Sequence, residues 1–249
     1  MISYAAKTDK GILRKMNQDY YHASAEMPPL FIVCDGMGGH ASGDVASRSA
    51  VDCISRYIDM HKTYDFDSEK AHTLLSGALK YANSTVYTRA TVSERYKGMG
   101  TTADICLFDF DSLYICHVGD SRVYLFRDGK LKKLTTDHTL IEELLSNGTI
   151  SEQEAKSHPN RHMITRAVGT DETVTGDFLD ISLSGDDIIL MCSDGLSNMV
   201  SDAQIIRCLS YDNLQKSCDE LIKKANDNGG RDNITAVVIK YETDEEVNN

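Results

Sequence analysis

The sequence predicts a layered α+β fold, and three observations support this prediction. Apolar residues recur at helical spacing early and late in the chain, strand-length apolar runs cluster between these segments, and short turns join consecutive strands. Helices that are grouped, rather than alternating with strands, favour antiparallel sheets covered by helices. The 249 residues contain no repeat and no linker-like stretch. We therefore expect one domain over residues 1–242, followed by a disordered acidic tail at 243–249.

Four helices are predicted. Apolar residues recur at three- and four-residue spacing after Ser42 and again after Ser68, which indicates two long helices early in the chain. Late in the chain, Ser201 and Gln204 have the spacing of a capping box, and a further apolar stripe ends at Gly229. These signals predict a second pair of helices.

Six strands are predicted from apolar or alternating runs bounded by turn residues. They are Phe31–Cys34, Ala103–Phe108, Leu113–His117, Arg122–Phe126, Ile188–Cys192 and Ile234–Tyr241. The short turns FDFDS and RDGK indicate hairpins, so the strands that they join should pair antiparallel. Segment 139–165 has only a short helix pattern that stops at Gly148 and a capping box of Ser151 with Glu154. We expect it to be a flap-like insertion over one edge.

Charge and cysteine content argue against several functional classes. A net charge of −12 disfavours nucleic-acid binding, which needs a basic surface. No apolar run approaches the roughly 20 residues that span a bilayer, and the N-terminus lacks the apolar stretch of a signal peptide. The seven cysteines include no C-x-x-C pair, and Cys34, Cys106, Cys116 and Cys192 lie in apolar runs. We expect reduced, buried thiols in a cytoplasmic protein without membrane contact.

Three aspartates follow predicted buried strands and stand beside glycine. They are Asp35, Asp120 and Asp194. Carboxylates brought together on rigid strands would repel one another unless a cation neutralised them, and an all-oxygen ligand set favours Mg²⁺ or Mn²⁺ over Zn²⁺. The alternative is that Asp–Gly only marks a turn, as we expect for Asp128–Gly129. Three such pairs in one domain favour the metal interpretation.

Six short motifs occur in order along the chain. They are RKMNQD (Arg14–Asp19), VCDGMGGH (Val33–His40), GTTAD (Gly100–Asp104), GDSR (Gly119–Arg122), CSDGLSNMV (Cys192–Val200) and GGRDNIT (Gly229–Thr235). Each motif alone is weak, but six in order along the whole chain are specific, and together they resemble the metal-dependent protein phosphatase family of the 2C type, particularly its compact bacterial members. The resemblance implies a sandwich of two antiparallel β-sheets, flanked on each side by a pair of helices.

The resemblance also implies a binuclear centre of Mn²⁺ or Mg²⁺ in a serine/threonine phosphoprotein phosphatase. Asp35 would bridge the two ions. One ion would be bound by the carbonyl of Gly36 together with the side chains of Asp194 and Asp232. Asp19 would bind the other ion, partly through water. A metal-bridging hydroxide would then hydrolyse the phosphate monoester directly, without a phosphoenzyme.

Further roles implied by the resemblance concern the substrate and a weaker third metal. Arg14 would grip the substrate phosphate with its guanidinium fork. Asp120 would hold the third metal together with Asp194. The departing serine or threonine oxygen needs a proton, for which His40 and a water at the third metal are the two candidates, and we expect the water. The implied partners are phosphorylated proteins, including a serine/threonine kinase and its substrates, and the implied state is a monomer.

The sequence departs from the family pattern at three positions and leaves two alternatives open. Gln18 stands where many relatives carry glutamate, Met37 where animal members carry histidine, and Asn198 where some relatives carry a third-metal aspartate. One alternative is a pseudophosphatase scaffold, although the metal aspartates are retained. The other is a phosphoesterase for a small metabolite, which the sequence neither indicates nor excludes.

Two other candidate sites are weaker. Cys34 and Cys192 precede metal aspartates, but their position inside strands favours packing over a nucleophilic role. His158 and His162 have helical zinc-site spacing, but Pro159 would break that helix, so polar loop residues are the better interpretation.

Overall fold

The structure is a computed structural model that describes residues 1–38, 42–61, 63, 66–160 and 162–243, without the side chains of residues 156 and 157. The predicted tail therefore lies outside the described residues, apart from Thr243. Within these ranges, no helix is both long and apolar enough to cross a membrane.

Two antiparallel sheets form the centre of the fold. The first has the strand order β1 (Ile2–Asp9), β11 (Ile234–Tyr241), β10 (Ile188–Cys192), β7 (Arg122–Arg127) and β8 (Lys130–Lys133). The second has the order β2 (Asp19–Ser24), β3 (Leu30–Met37), β5 (Ala103–Asp109), β6 (Ser112–Val118) and β9 (Asp177–Ser182), with the short β4 (Gly100–Thr101) paired to β3. Between the sheets lies an apolar layer that includes the fully buried Phe31, Ile115 and Met191.

Each outer face of the sandwich is covered by two helices. On the second sheet lie α1 (Gly43–His61) and α2 (Ser68–Val92), which bury Ile54 and Leu75 in a shared apolar cluster. On the first sheet lie α6 (Asp202–Leu209) and α7 (Leu214–Asp227). Their apolar residues recur on one face, so each helix buries a stripe against its sheet. The predicted sandwich with flanking helix pairs is confirmed.

The predicted elements correspond to the interior of the two sheets. All six predicted strands and all four helices are present, and the FDFDS and RDGK turns join β5 to β6 and β7 to β8. The sequence interpretation missed the two-residue β4 and four further strands. Those four, β1, β2, β8 and β9, are the edge strands of the two sheets. An edge strand has one neighbour and a partly solvated surface, so its apolar signal is weak.

The segment 139–165 contains two short helices. They are α3 (Leu140–Ser146), capped by the side chain of Thr139, and α4 (Glu152–Ser157), which has the predicted capping box of Ser151 with Glu154. A backbone bridge between Thr139 and Ile164 closes the base of the segment. A short 3-10 helix spans Glu94–Tyr96, and another short helix, α5 (Asp194–Ser197), begins two residues after the last residue of β10.

Candidate metal centre

Five aspartates converge at one end of the sandwich. Asp19 begins β2 and pairs directly with Asp35 on β3. Asp120 follows β6, Asp194 follows β10, and Asp232 precedes β11. All except Asp19 line one open cavity of about 890 Å³, and Asp19 is 5% exposed. Strands from both sheets therefore deliver the carboxylates that the sequence had singled out.

Asp35 is fixed by the strand that carries it. Its N–H donates to the Thr102 hydroxyl at 2.8 Å, and its carbonyl accepts from the Thr101 hydroxyl and the Thr102 N–H, each at 2.9 Å. The strand continues through Met37, so the expectation that Asp35 ends its strand is wrong. The backbone of Asp35 is held on both sides, and only its carboxylate remains to interact with the cavity.

Asp19 is buried beside Asp35, and only one of its two carboxylate oxygens accepts hydrogen bonds. Its Oδ2 accepts from the hydroxyls of Ser193 and Thr235, each at 2.7 Å, whereas its Oδ1 is buried without a hydrogen-bond partner. Burial, together with the charges of Asp194 and Asp232, raises the pKa of Asp19 to about 7, although the two hydrogen bonds act to lower it. A buried carboxylate oxygen without a donor is costly, and a cation would satisfy it.

The other carboxylates show the same electrostatic conflict. Burial and the charges of Asp19, Asp194, Asp120 and Asp232 raise the pKa of Asp35 well above its usual range. Burial and Asp194 also raise the pKa of Asp120 to about 7. Burial and Asp232 raise the pKa of Asp194, whose Oδ1 has no hydrogen-bond partner. Bound divalent cations would remove this repulsion, so the donor set fits Mn²⁺ or Mg²⁺.

The aspartates do not enclose a metal by themselves. Among the described residues, no three histidine, cysteine, aspartate or glutamate side chains form a ready ligand group for a metal ion. This arrangement is compatible with a hard cation that keeps several waters, as Mg²⁺ usually does, rather than with a closed tetrahedral zinc site.

Gly36 is required by a close approach of two backbone segments. A Cβ at this position would lie 2.0 Å from the carbonyl oxygen of Gly43 and 2.6 Å from that of Gln18. The N–H of Gly36 donates to the Gln18 carbonyl at 3.1 Å. A side chain cannot be accommodated here, so the peptide beside Asp35 lies directly against the start of α1.

Arg14 reaches the centre but contacts an aspartate. Its Nη2 lies 2.5 Å from Asp232 Oδ2, and its Nε donates to the Arg231 carbonyl at 3.3 Å. The segment before β2 is held by Asn233, whose amide donates to the carbonyls of Lys10 at 2.8 Å and Met16 at 2.9 Å. The guanidinium is thus placed at the cavity and is half exposed.

The three departures from the family pattern have defined contacts. Gln18 lines the cavity, and its carbonyl accepts from Gly36 N–H and from the Ser47 hydroxyl at 2.6 Å. Asn198 donates to Asp194 Oδ2 at 3.1 Å, so at this position an amide supports a metal aspartate. Met37 lines the cavity. His40 lies outside the described residues.

The prediction of reduced, buried thiols is confirmed for Cys34, Cys106, Cys116 and Cys192, and His162 lies in an exposed turn, as expected of a polar loop residue. All seven cysteines are free thiols, and burial raises the pKa of Cys34 and Cys192. Such thiols are poor nucleophiles. His162 lines the cavity, and its charge opposes the rise in the pKa of Asp194. It is therefore a polar loop residue that also forms part of the site wall.

Sequence reasoning missed the residues that hold the aspartates in place. They are Thr102, Ser193, Asn233 and Thr235. Each lies within one of the six motifs. Thr102 is in GTTAD, Ser193 precedes Asp194, and Asn233 and Thr235 follow Asp232. Their position within the motifs indicates that these residues belong to the site, but it does not reveal which group each hydroxyl or amide contacts.

Comparisons with known proteins agree with this architecture. The family model described as Protein phosphatase 2C matches residues 14–238. The serine/threonine phosphatase stp of Listeria innocua is 37% identical over 239 residues, which are 94% of this chain and 94% of that protein. The serine/threonine protein phosphatase PstP of Mycobacterium tuberculosis is 37% identical over 96% of this chain, but the chain spans only 45% of PstP.

A solved structure extends the similarity to a metal-bound relative. The catalytic domain of PstP, in complex with two manganese ions, has a TM-score of 0.86 and 35% identity, covering 97% of this chain and 99% of that one. The resemblance drawn from the six motifs is confirmed. With its motifs, its sandwich fold and these matches along nearly its whole length, the chain belongs to the protein phosphatase 2C family of serine/threonine phosphatases.

Proposed function

We propose that this chain is a metal-dependent phosphatase of phosphoserine and phosphothreonine proteins. The observation that carries the proposal is the group of mutually repelling aspartates around Asp35, in which Asp19 Oδ1 and Asp194 Oδ1 are buried without a hydrogen-bond donor. The name of the Listeria relative and the two manganese ions of the PstP complex support the same activity and metal. The proposed cofactors are two Mn²⁺ or Mg²⁺ ions and a weaker third.

The residues around the cavity have complementary tasks in this proposal. When bound, two divalent ions supply positive charge for the phosphoryl oxygens and acidify water for direct attack on phosphorus. Asp35 would hold both ions, Asp19 one of them, and Gly36, Asp194 and Asp232 the other. Asp120 would hold the third with Asp194. Arg14 would leave Asp232 and pair with substrate phosphate, because a guanidinium matches two phosphate oxygens at once.

An open cavity favours a protein substrate over a small metabolite. The cavity of about 890 Å³ is lined by residues of both sheets, by Ile141 and His162 of the 139–165 segment, and by Met199 after α5. A metabolite enzyme would be expected to enclose its substrate in a concave, mostly apolar site. An exposed site can receive a phosphorylated loop of another protein. Retention of all the proposed metal aspartates also argues against a pseudophosphatase.

Metal removal tests the proposed function. Turnover of a phosphothreonine peptide should require added Mn²⁺ or Mg²⁺ and should be lost after exhaustive chelation, because the carboxylates alone offer no nucleophile. Phosphate release should return when the metal is restored, and Ca²⁺ at the same concentration serves as the control. Full activity in the chelated protein would refute the assignment.

Replacement of Arg14 tests the phosphate-binding role. Arg14→Ala should raise KM for a phosphopeptide about tenfold, with little change in kcat. The reason is that Arg14 would bind the phosphate equally well in the ground state and in the transition state. Steady-state kinetics give both constants, and Arg56→Ala, on the exposed face of α1, is the matched control. A fall in kcat at constant KM would instead place Arg14 in the transition state.

We further propose that segment 139–165 tunes substrate choice as a flap. It brings Ile141, His162 and Ile164 to the cavity, and binding residues concentrate on loops set on rigid scaffolds. Exchanging the segment for that of the Listeria relative should change the preference among phosphopeptides several-fold and spare a small aryl phosphate. Turnover rates on both substrate types test the proposal. An equal loss of activity on both would show that the segment supports the fold and does not select substrates.

The proposed partners are phosphorylated proteins, including a serine/threonine kinase and its substrates, and the proposed compartment is the cytoplasm. Free thiols at all seven cysteines support a reducing compartment. The proposed state is a monomer. Cell fractionation and sedimentation test the compartment and the state, and recovery with an extracellular or membrane fraction would contradict the first.

A further inference from the structure

A buried histidine pair lies behind the turn that carries Asp120. His117 is fully buried, with Nδ1 at 2.5 Å from Asp104 Oδ1 and Nε2 at 2.9 Å from the Thr136 carbonyl. The ring of His138 packs on that of His117, with a centroid distance of 4.6 Å. Asp104 belongs to the GTTAD motif, and the proposed mechanism gives neither it nor the histidines a role.

His138 holds the peptide that precedes Asp120 from two sides. Its backbone N–H donates to the Gly119 carbonyl at 2.7 Å, and its Nδ1 accepts from the Gly119 N–H at 3.1 Å. Gly119 has a φ of 116°, and a Cβ there would lie 2.5 Å from Thr102 Cγ2. The turn that aims Asp120 is thus confined between His138 and Thr102.

The same histidine reaches the base of the 139–165 segment. Its carbonyl accepts from Thr165 N–H at 2.9 Å. Its Nε2 lies 3.2 Å from Asp177 Oδ2 without the alignment of a hydrogen bond, and Arg166 pairs with Asp177 Oδ1 at 2.6 Å. His138 therefore contacts the metal-site turn on one side and the stem of the segment on the other.

The imidazole is suited to accept a hydrogen bond. Burial and the neighbouring His117 lower the pKa of His138 to about 4, so the ring is neutral near pH 7. The Gly119 N–H points at Nδ1, which makes Nδ1 the unprotonated nitrogen and leaves the proton on Nε2. The side chain thus supplies a lone pair at a defined position, and an asparagine Oδ1 could supply one at the same distance from the backbone.

We propose that His138 is a positioning residue that fixes the Gly119–Asp120 turn and ties it to the base of segment 139–165. It acts through Gly119 and does not touch the substrate. The proposal rests on the proposed function, because Asp120 matters only if it holds a cation. Outer partners that orient metal ligands typically change metal affinity by about 10- to 100-fold when they are removed.

Three substitutions separate this role from simple packing. His138→Ala removes both side-chain contacts, His138→Asn keeps an acceptor at the Nδ1 position, and His138→Gln keeps a polar group only at the Nε2 position. Mn²⁺ binding is measured by calorimetry without substrate, and thermal unfolding is followed in parallel. His72→Ala is the matched control, because His72 pairs with Asp180 at 2.6 Å outside the site.

We expect His138→Ala and His138→Gln to weaken the weakest Mn²⁺ binding event about tenfold or more and to spare the tighter events. His138→Asn should restore binding to within about threefold of wild type. Turnover of a phosphoserine peptide should follow the same order, while turnover of an aryl phosphate stays nearly constant. If His138→Ala does not fold, the comparison of the Asn and Gln variants decides alone.

The failures of the two proposals are distinguishable. If wild type neither binds Mn²⁺ nor shows Mn²⁺-dependent turnover, the proposed function is wrong. If wild type does both and the Asn and Gln variants bind Mn²⁺ alike, the positioning role is wrong. Loss of all Mn²⁺ binding events together, in parallel with a lower unfolding temperature in the Asn variant, would also overturn the proposal and make His138 a packing residue.

Discussion

Asp35→Asn is expected to reduce turnover of a phosphothreonine peptide by about a thousandfold or more. Removal of even one preorganised charge-stabilising group costs about 10²–10³ in kcat, and Asp35 is proposed to hold both metal ions. The amide occupies nearly the same volume as the carboxylate, so the fold should persist. Single-turnover kinetics at saturating Mn²⁺ give the magnitude, and a loss of less than about tenfold would contradict the bridging role.

The same variant should stabilise the metal-free protein. Asp19 and Asp120 have pKa values raised from 3.8 to about 7, so the folded state binds protons more tightly than the unfolded chain. The stability of the metal-free protein should therefore fall as pH rises from about 4 through about 7. Asp35→Asn removes one repelling charge, so the increase in the stability of the metal-free protein should be larger at pH 8 than at pH 5. Thermal unfolding with chelator measures this effect.

Asp128→Asn is the matched control for both measurements. Asp128 also precedes a glycine, but it lies in the β7–β8 turn, where it has a φ of 51°. Asparagine tolerates this left-handed conformation well. Activity and metal-free stability of this variant should match wild type, since the turn is outside the cavity. A comparable gain in stability at Asp128→Asn would show that the effect of Asp35→Asn is a general charge effect.

Asp120→Ala is expected to reduce turnover of a phosphoserine peptide by about 10²–10³-fold and that of an aryl phosphate by less than about fivefold. A serine alkoxide needs a proton as it departs, whereas an aryl oxide leaves readily without one, and a positioned acid contributes about 10²–10⁴-fold. A cation at Asp120 would supply that acidity, and the two tighter Mn²⁺ binding events should remain. Rates on both substrates and calorimetry with Mn²⁺ test each part.

His40 is the competing source of the proton. If His40→Ala produces the loss that is selective for phosphoserine and Asp120→Ala does not, the acid is the histidine. Asp52→Ala, on the exposed side of α1, controls for removal of a carboxylate elsewhere. An equal loss on both substrates at Asp120→Ala would show that Asp120 supports the main metal pair instead.

Local patterns in the sequence were sufficient for the interior of the fold. Strands such as β10 and β11 are flanked by neighbours on both sides and buried, so their apolar runs are continuous. The long helices α1 and α2 each bury a stripe at helical spacing. The aspartates that follow or interrupt buried strands are equally visible, so the proposed ligands are recognisable from the sequence.

Contacts between distant segments were decided only by the tertiary structure. Ser193 and Thr235 reach the Asp19 carboxylate across 174 and 216 residues of sequence, and Arg14 reaches Asp232 across 218. His162 lines the cavity. His138, which is 19 residues from Gly119 in the sequence, holds the turn that carries Asp120. Apolar periodicity is a property of neighbours along the chain, so it reports which side of an element is buried. The partner of a polar atom depends on which elements the closed sandwich brings together, and only the packed sheets fix that choice.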